Sequence, residues 1–503
     1  MNVILATVKG YNPLTSTEET IYLSDRSAPP VMVGSVPTFF DNRISSITGV
    51  NRAMFAKGRI SGSSSITGGE ITLVNTDGAY DYLDTWGLDG RDIVIEYVDL
   101  LEDGTYTVIS TFKGTLDIPD ITLTSNDSSI SLRIKDRYKL LDKKIQTNLF
   151  LGTNVGPTGY EGTDNLKDRP KPLCFGKCLN ITPVLVNEST LTYQVHDGPI
   201  NAILKVYDNG VDLGAGFTAS LSTGMFTLSA MPAGTITCDV EGAKPSGTYL
   251  NNVKSIISEI LVTYTDLVTG DLSSDFTSFA PTELVGIYVD SDSTVKDVID
   301  QLTASIGAYC LFDETGSVRI GLVKSVRNDA ADWNSSAAVA TLEDYSIEEI
   351  TKYVSADTQV PSYRLELSYA KNYTVQKAAD LAGSVLLDLD RTAWLKEEFR
   401  LQTYDTPSVQ TIYKTSDKFK IISLLVNKSD AINVTQRLSS LYNIKRNFYT
   451  IVVPIEEGSV IDLNDVIVIK YDRFDMSAGA RFLVVGKADF TPSINQIQLE
   501  VWG

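Results

Sequence analysis

His196 is the only imidazole in 503 residues, so any Ser-His-Asp or Cys-His machinery would have to be built on it. It lies in Val195-His196-Asp197-Gly198-Pro199, next to a turn, and no Gly-x-Ser-x-Gly elbow supplies a serine. The sequence therefore reads His196 as a surface or turn residue. The same scarcity weakens a papain-like peptidase. It excludes His-Glu-x-x-His zinc proteases, whose motif needs two histidines one helical turn apart. The four cysteines are Cys174, Cys178, Cys238 and Cys310, and three of them sit in apolar, strand-like text. A Cys-x-x-x-Cys spacing with no second close pair is not a usual zinc knuckle. Buried, reduced thiols are expected, with a disulfide or a bound cluster as the alternative.

Other motifs dissolve on inspection. Gly210, Gly214 and Gly216 lack a strand-turn-helix context, and Gly176-Lys177 is followed by Cys178 where a phosphate loop needs Ser or Thr. Asp290-Ser291-Asp292-Ser293-Thr294 mimics the start of a calcium loop. Val295 and Gln301 stand where its Gly and Glu belong, so a helix cap is expected there. A glycosidase needs only two carboxylates, but among 63 acidic residues no pair stands out. No catalytic, cofactor-binding or metal-ligating residue is assigned, and no cofactor is expected.

Charge and composition narrow the partners. The formal net charge is −20 and the pI about 4.6. This argues against wrapping a phosphate backbone, which works by exchanging protein cations for counterions. It argues equally against an anionic membrane surface. With 43% hydrophobic and 21% charged residues, the chain has ordinary globular usage. Met1–Val8 reads as a first strand and not as a signal peptide. No apolar run approaches the ~18 residues of a membrane span, so no membrane anchor is expected.

The elements that would have to position any site are mostly strands. Residues 1–150 alternate at Ile71–Val74, Ile93–Val98 and Ser129–Ile134, with turns such as Asn75-Thr76-Asp77-Gly78, and predict an N-terminal β domain. Lys135–Leu141 predicts a short turn or helix that closes it. Residues 151–245 read as a Gly/Pro-rich linker followed by a β subdomain. Residues 246–360 predict an α+β domain. One helix has Val253, Ile256, Ile257, Ile260, Leu261 and Tyr264 on one face. A second is capped near Ser293 and stopped at Gly307, and a hairpin turning at Asp313–Gly316 follows. Residues 361–503 predict a C-terminal β domain with alternation at Tyr363–Tyr369, a helix from about Asp430, and final strands at Tyr449–Pro454, Val466–Tyr471, Phe482–Ala488 and Ile494–Trp502. No fixed-period repeat is visible. The fold class is α+β and β-rich: several antiparallel barrels or sandwiches with a few inserted helices.

Three stretches resemble tail-tip baseplate hub proteins of long-tailed bacteriophages and gene transfer agents. The first is Arg169-Pro170-Lys171-Pro172, continuing through Gly176, Asn180 and Pro183 to Tyr193–Val195 and Val206–Gly210. The second is the helix and hairpin at 293–323. The third is the helix from Asp430 to Arg446, followed by Leu463-Asn464-Asp465-Val466-Ile467, Gly479–Gly486 and a strand ending at Trp502. In such proteins a Gly usually stands where this chain has Asn464. The resemblance covers most of the chain from about residue 40 onward.

What the resemblance implies is a non-enzymatic virion protein at the distal tip of the tail, closing or extending the tube. It implies barrels related to the tail-tube fold, commonly in a homotrimer with pseudo-sixfold symmetry. The expected neighbours are a distal tail or tube protein on one side and a central fibre or tip protein on the other, with a tape measure protein possible as a third. Assembly in the bacterial host cytoplasm is expected, with genome DNA passing through without specific binding. Three chains would carry a formal −60, and an acidic channel wall would repel DNA. The alternatives are a distal tail protein in a sixfold ring, a receptor- or glycan-binding protein, and a cell-wall hydrolase. Segments 151–168 and 324–360 are candidate subunit contacts, because irregular segments often carry binding.

Overall fold

The computed structural model describes residues 1–55, 65–123, 128–156, 159–329, 333–353, 360–474, 476–491 and 495–503. The expected turn residue Pro157, the expected strand start Ile494, and parts of the two candidate contact segments (157–158, 330–332, 354–359) lie outside the described residues.

The N-terminal strands are β1 (Asn2–Asn12), β2 (Thr17–Ser24), β3 (Asp41–Asn42), β4 (Ile44–Thr48), β5 (Val50–Ala53), β6 (Ser65–Thr67), β7 (Gly69–Val74), β8 (Asp92–Leu100), β9 (Tyr106–Leu116), β10 (Asp120–Leu123) and β11 (Ser128–Asp136). They hydrogen-bond in the order β3-β2-β1-β8-β9-β11-β7-β4, with β10 also on β11. Alternation turns Ile4, Ala6, Val8, Ile93, Ile95, Ile130, Leu132 and Ile134 into one core, and all are fully buried. Each such aliphatic side chain contributes about 1.5–3 kcal/mol of transfer free energy. One residue joins the two ends of this sheet. The Arg43 N–H donates to the Ser24 carbonyl at 3.1 Å, and the Arg43 carbonyl accepts from the Val74 N–H at 2.8 Å. The sheet thus closes as a barrel, which leaves no long unpaired edge at that seam.

The second barrel is built from β12 (Ala340–Glu343), β13 (Glu349–Tyr353), β14 (Phe448–Pro454), β15 (Val466–Lys470), β16 (Ala480–Asp489) and β17 (Gln496–Trp502), in the order β12-β15-β16-β17-β14-β13. Its topology repeats the first. In both, a consecutive strand pair bridges the sheet, parallel on one side (β3 on β2, β12 on β15) and antiparallel on the other (β4 on β7, β13 on β14). The remaining strands follow in one order, with β7, β8, β9–β10 and β11 matching β14, β15, β16 and β17. The β1–β2 hairpin is the extra piece of the first barrel. The match extends to single hydrogen bonds. Gly90 N–H donates to Leu116 O at 2.9 Å and Leu116 N–H to Arg91 O at 2.8 Å. Asn464 N–H donates to Val484 O at 2.8 Å and Val484 N–H to Asp465 O at 2.9 Å. Gly90 and Asn464 share a left-handed φ, +72° and +67°.

Between the barrels lies the α+β middle of the chain. Strand Leu173–Ile181 lies inside a five-stranded sheet, between its central strand Ile236–Ala243 and the edge strand Gly286–Val289. Helix α1 (Val253–Tyr264) buries Val253, Ile256, Ile257, Ile260 and Leu261, and Asn252 caps it. Helix α2 (Val295–Ser305) is capped by Thr294, one residue after the expected Ser293, and the chain leaves it at Gly307, φ +57°. The hairpin Ala308–Phe312 and Val318–Leu322 turns at Asp313–Gly316 as expected. Helix α3 spans Lys428–Tyr442, starting before the expected Asp430 and ending before Arg446. With α3, a three-stranded sheet, ordered Arg400–Asp405, Arg364–Tyr369, Lys418–Ile422, and three short helices lie in the long insertion between β13 and β14. The β-rich α+β class is what the chain adopts.

Candidate functional site

The residues singled out for chemistry sit in structural roles. His196 is not at the surface: it is 4% exposed. Its Nδ1 accepts the Cys174 backbone N–H at 3.0 Å, and its ring meets Phe175 edge-on at 5.9 Å. Burial, only slightly opposed by Asp197, pushes its pKa down to about 4. The ring is therefore neutral, with one nitrogen already used by a strand. The four thiols are buried and free. Burial raises the pKa of Cys178 and Cys238 well above the ordinary thiol value, and that of Cys310 to about 12. These three are protonated thiols and poor nucleophiles at neutral pH. Among the described residues no group of three or more His, Cys, Asp or Glu is placed to hold a metal.

The motif look-alikes have plain uses. Thr294 Oγ1 accepts the Asp297 N–H at 3.1 Å, and the Asp297 carboxylate accepts the Thr294 N–H and hydroxyl in return, so the pseudo-calcium loop is a capping box. Gly176 stands inside a strand at φ +66°, and a Cβ there would come within 1.9 Å of the Val285 carbonyl oxygen. That glycine serves a close backbone approach and not a phosphate. Gly210, φ +83°, turns the chain between Ile200–Asp208 and Val211–Asp212.

A cluster of buried charges lies where the two barrels meet, and the sequence reading did not signal it. Strand β5 leaves the first barrel and pairs with β16 of the second, Arg52 directly opposite Lys487. Two cations in facing positions repel, and both are almost fully buried. Three carboxylates offset this. Asp462 Oδ1 lies 2.8 Å from the Arg52 guanidinium, Glu314 Oε2 lies 3.0 Å from Lys487 Nζ, and Asp489 Oδ1 lies 3.5 Å from the same nitrogen. Burial works against the charged form of Asp462, but Arg52 and Lys487 hold its carboxyl below the usual range. Burial likewise works against the Lys487 ammonium, and Asp489 and Glu314 more than compensate. Glu314 shifts the other way, because burial outweighs the pull of Lys487.

Four stretches distant in sequence supply these groups, so the cluster ties three parts of the fold. The Asp313–Gly316 turn wedges in from the middle of the chain. Its Glu314 carbonyl accepts the Lys113 N–H of β9 at 2.9 Å, and its Gly316 carbonyl accepts from Arg137 at 2.6 Å. Such a network contributes little net stability over an apolar core, but losing any one member leaves a buried charge without its partner. Its chemistry is that of a clamp.

The class this geometry defines is a protein of two topologically equivalent barrels held side by side around one continuous core. Among the solved structures that this chain is similar to are three tail proteins. One is the tail protein from Neisseria meningitidis MC58, with 10% identity, 100% of this chain and 96% of that one covered, and a TM-score of 0.44. Another is the 43 kDa tail protein of prophage MuSo2 from Shewanella oneidensis, with 8% identity, 100% and 98% coverage, and a TM-score of 0.43. A third is prophage tail protein gp18 from Listeria monocytogenes EGD-e, with 9% identity, 100% and 94% coverage, and a TM-score of 0.39. No family model matches the chain, and no curated protein matches it in sequence.

Proposed function

We propose that this chain is a non-enzymatic structural protein of a bacteriophage tail, the hub at the distal end of the tail tube, acting as a ring of three copies. The observation that supports this most is the duplicated barrel. Two equivalent barrels per chain turn a threefold ring into six barrels, which lets a trimer continue a sixfold tube. The sequence resemblance at Arg169–Pro183, 293–323 and 430–503 points the same way. A clamp of buried charges between the barrels suits the role, because a ring subunit must hold its two halves at one angle.

In this reading the ring binds a distal tail or tube protein on one side and a central fibre or tip protein on the other, and lets the genome slide through. The test is the copy number of the purified assembly by native mass spectrometry, with negative-stain imaging. Three copies around an opening are expected. Six copies would instead identify a distal tail ring, and a monomer at all concentrations would overturn the reading.

A further inference from the structure

The two barrels differ at one matching place. In the second barrel, the far half of β16 (Gly486–Asp489) pairs with β17 on one side and with the arm strand β5 on the other. Counting along the shared registers from Leu116 and Val484, Ala488 and Asp489 correspond to Asp120 and Ile121 in β10. Strand β10 pairs with β11 on the matching side. On its other side, among the described residues, no strand pairs with it. Ile118, which leads into this edge, is 70% exposed.

We infer that the open edge of β10, with Ile118, is a docking site for a second copy of this chain, filled by the insertion that its second barrel carries. This rests on the proposed ring. In the first barrel the arm β5–β6 leaves between β4 and β7 and covers the second barrel of the same chain. At the equivalent point of the second barrel, between β13 and β14, the chain inserts residues 354–447. If six barrels repeat around a ring, each arm covers the next barrel. The arm of one chain's second barrel therefore meets the first barrel of the next chain, at β10.

Charge supports that occupant. Residues 361–447 hold 13 Lys and Arg against nine Asp and Glu, a net of +4 in a chain of −20. Residues 1–136 hold 10 Lys and Arg against 18 Asp and Glu, a net of −8. At the edge itself Asp117 and Asp120 already pair with Lys135 and Arg133 of β11, and on the outer strand of the insertion's sheet Lys418 pairs with Glu366, so the complementarity is that of the two bodies as wholes. An acidic barrel facing a basic insertion steers and orients head-to-tail contacts, whereas a face meeting its own kind would repel. Unpaired backbone groups then complete a strand addition.

The experiment uses the full chain. Ile118→Cys is labelled with a photoactivatable maleimide, the native thiols being buried. Labelled protein is mixed with isotopically heavy unlabelled protein, so that crosslinks between copies are recognised by mass. Crosslinks from position 118 to residues 361–447 of the other copy are expected. In parallel, Ile118→Lys, at an exposed position, should weaken trimer formation at least about tenfold in dissociation constant, with circular dichroism and melting temperature unchanged. A ring whose position 118 crosslinks elsewhere, or whose Ile118→Lys variant assembles like the parent, overturns the docking edge and leaves the ring standing. A parent chain that stays monomeric overturns both.

Discussion

The buried, neutral state of His196 makes acid sensitivity calculable. In the unfolded chain its imidazole protonates near 6.5, and in the fold near 4. A group whose folded pKa is depressed in this way binds its proton more readily when unfolded. Its neutral form therefore costs nothing above about pH 6.5, and stability is lost as pH falls from there toward 4. At ~1.36 kcal/mol per unit, the loss is roughly 2 kcal/mol at pH 5 and roughly 3 kcal/mol at pH 4. His196→Asn keeps an acceptor near the Cys174 N–H and removes the titration. The assay is urea unfolding of both proteins at pH 7 and pH 5, read as the change in the difference between them. The variant should gain about 2 kcal/mol on the parent between the two pH values. Because no other histidine exists, the imidazole resonance of folded protein can be followed without assignment. A His196 that titrates near 6.5 in the fold, or a pH-independent difference between parent and variant, would refute the argument.

Two further outcomes follow from the barrels. Asn464 holds a left-handed φ where its counterpart is Gly90, so Asn464→Gly should leave the melting temperature nearly unchanged. Asn464→Val should cost about 1–2 kcal/mol, since a β-branched residue resists that conformation; thermal scans of the three proteins decide it. Arg52→Met removes one member of the buried cluster and takes from Asp462 the cation 2.8 Å away. A loss of about 3–5 kcal/mol is expected by denaturant unfolding, and a loss under about 1 kcal/mol would mean that the clamp is not made of these charges.

Helices α1 and α2 were legible because a single apolar face of five or more residues leaves few alternatives to burial. The short helices at Gly383–Leu386, Leu389–Lys396 and Ser408–Ile412 were not, since one or two turns carry no period. Strands were legible as strands, but their partners were not. Alternation says which face is buried and nothing about which strand lies alongside. The arm β5 illustrates this: Val50–Ala53 follows β4 directly in sequence, yet it pairs across the molecule with β16. The clamp was hidden for the same reason, because Arg52, Glu314, Asp462 and Lys487 have no common spacing until the fold brings them together. His196 was misread because a neighbouring Gly-Pro turn suggests the surface, while the ring itself turns inward to serve Cys174.

The repeat was invisible in sequence for a physical reason. What the barrels share is backbone: reciprocal bonds at Gly90, Arg91 and Leu116 on one side and at Asn464, Asp465 and Val484 on the other. Those bonds tolerate almost any side chain facing the core, so Leu88-Asp89-Gly90-Arg91-Asp92-Ile93 and Asp462-Leu463-Asn464-Asp465-Val466-Ile467 are free to diverge. Side chains are held only where a bond demands a conformation, and there Gly answers to Asn, the two residues that enter the left-handed region most easily. Where the barrels do differ, the difference is directional. One matching edge is covered from within the chain, and the other has no strand partner among the described residues. In the proposed ring, an asymmetric pair of equivalent barrels supplies both halves of a head-to-tail contact, an arm at one end and an uncovered edge at the other, so that each such edge is covered by the next copy.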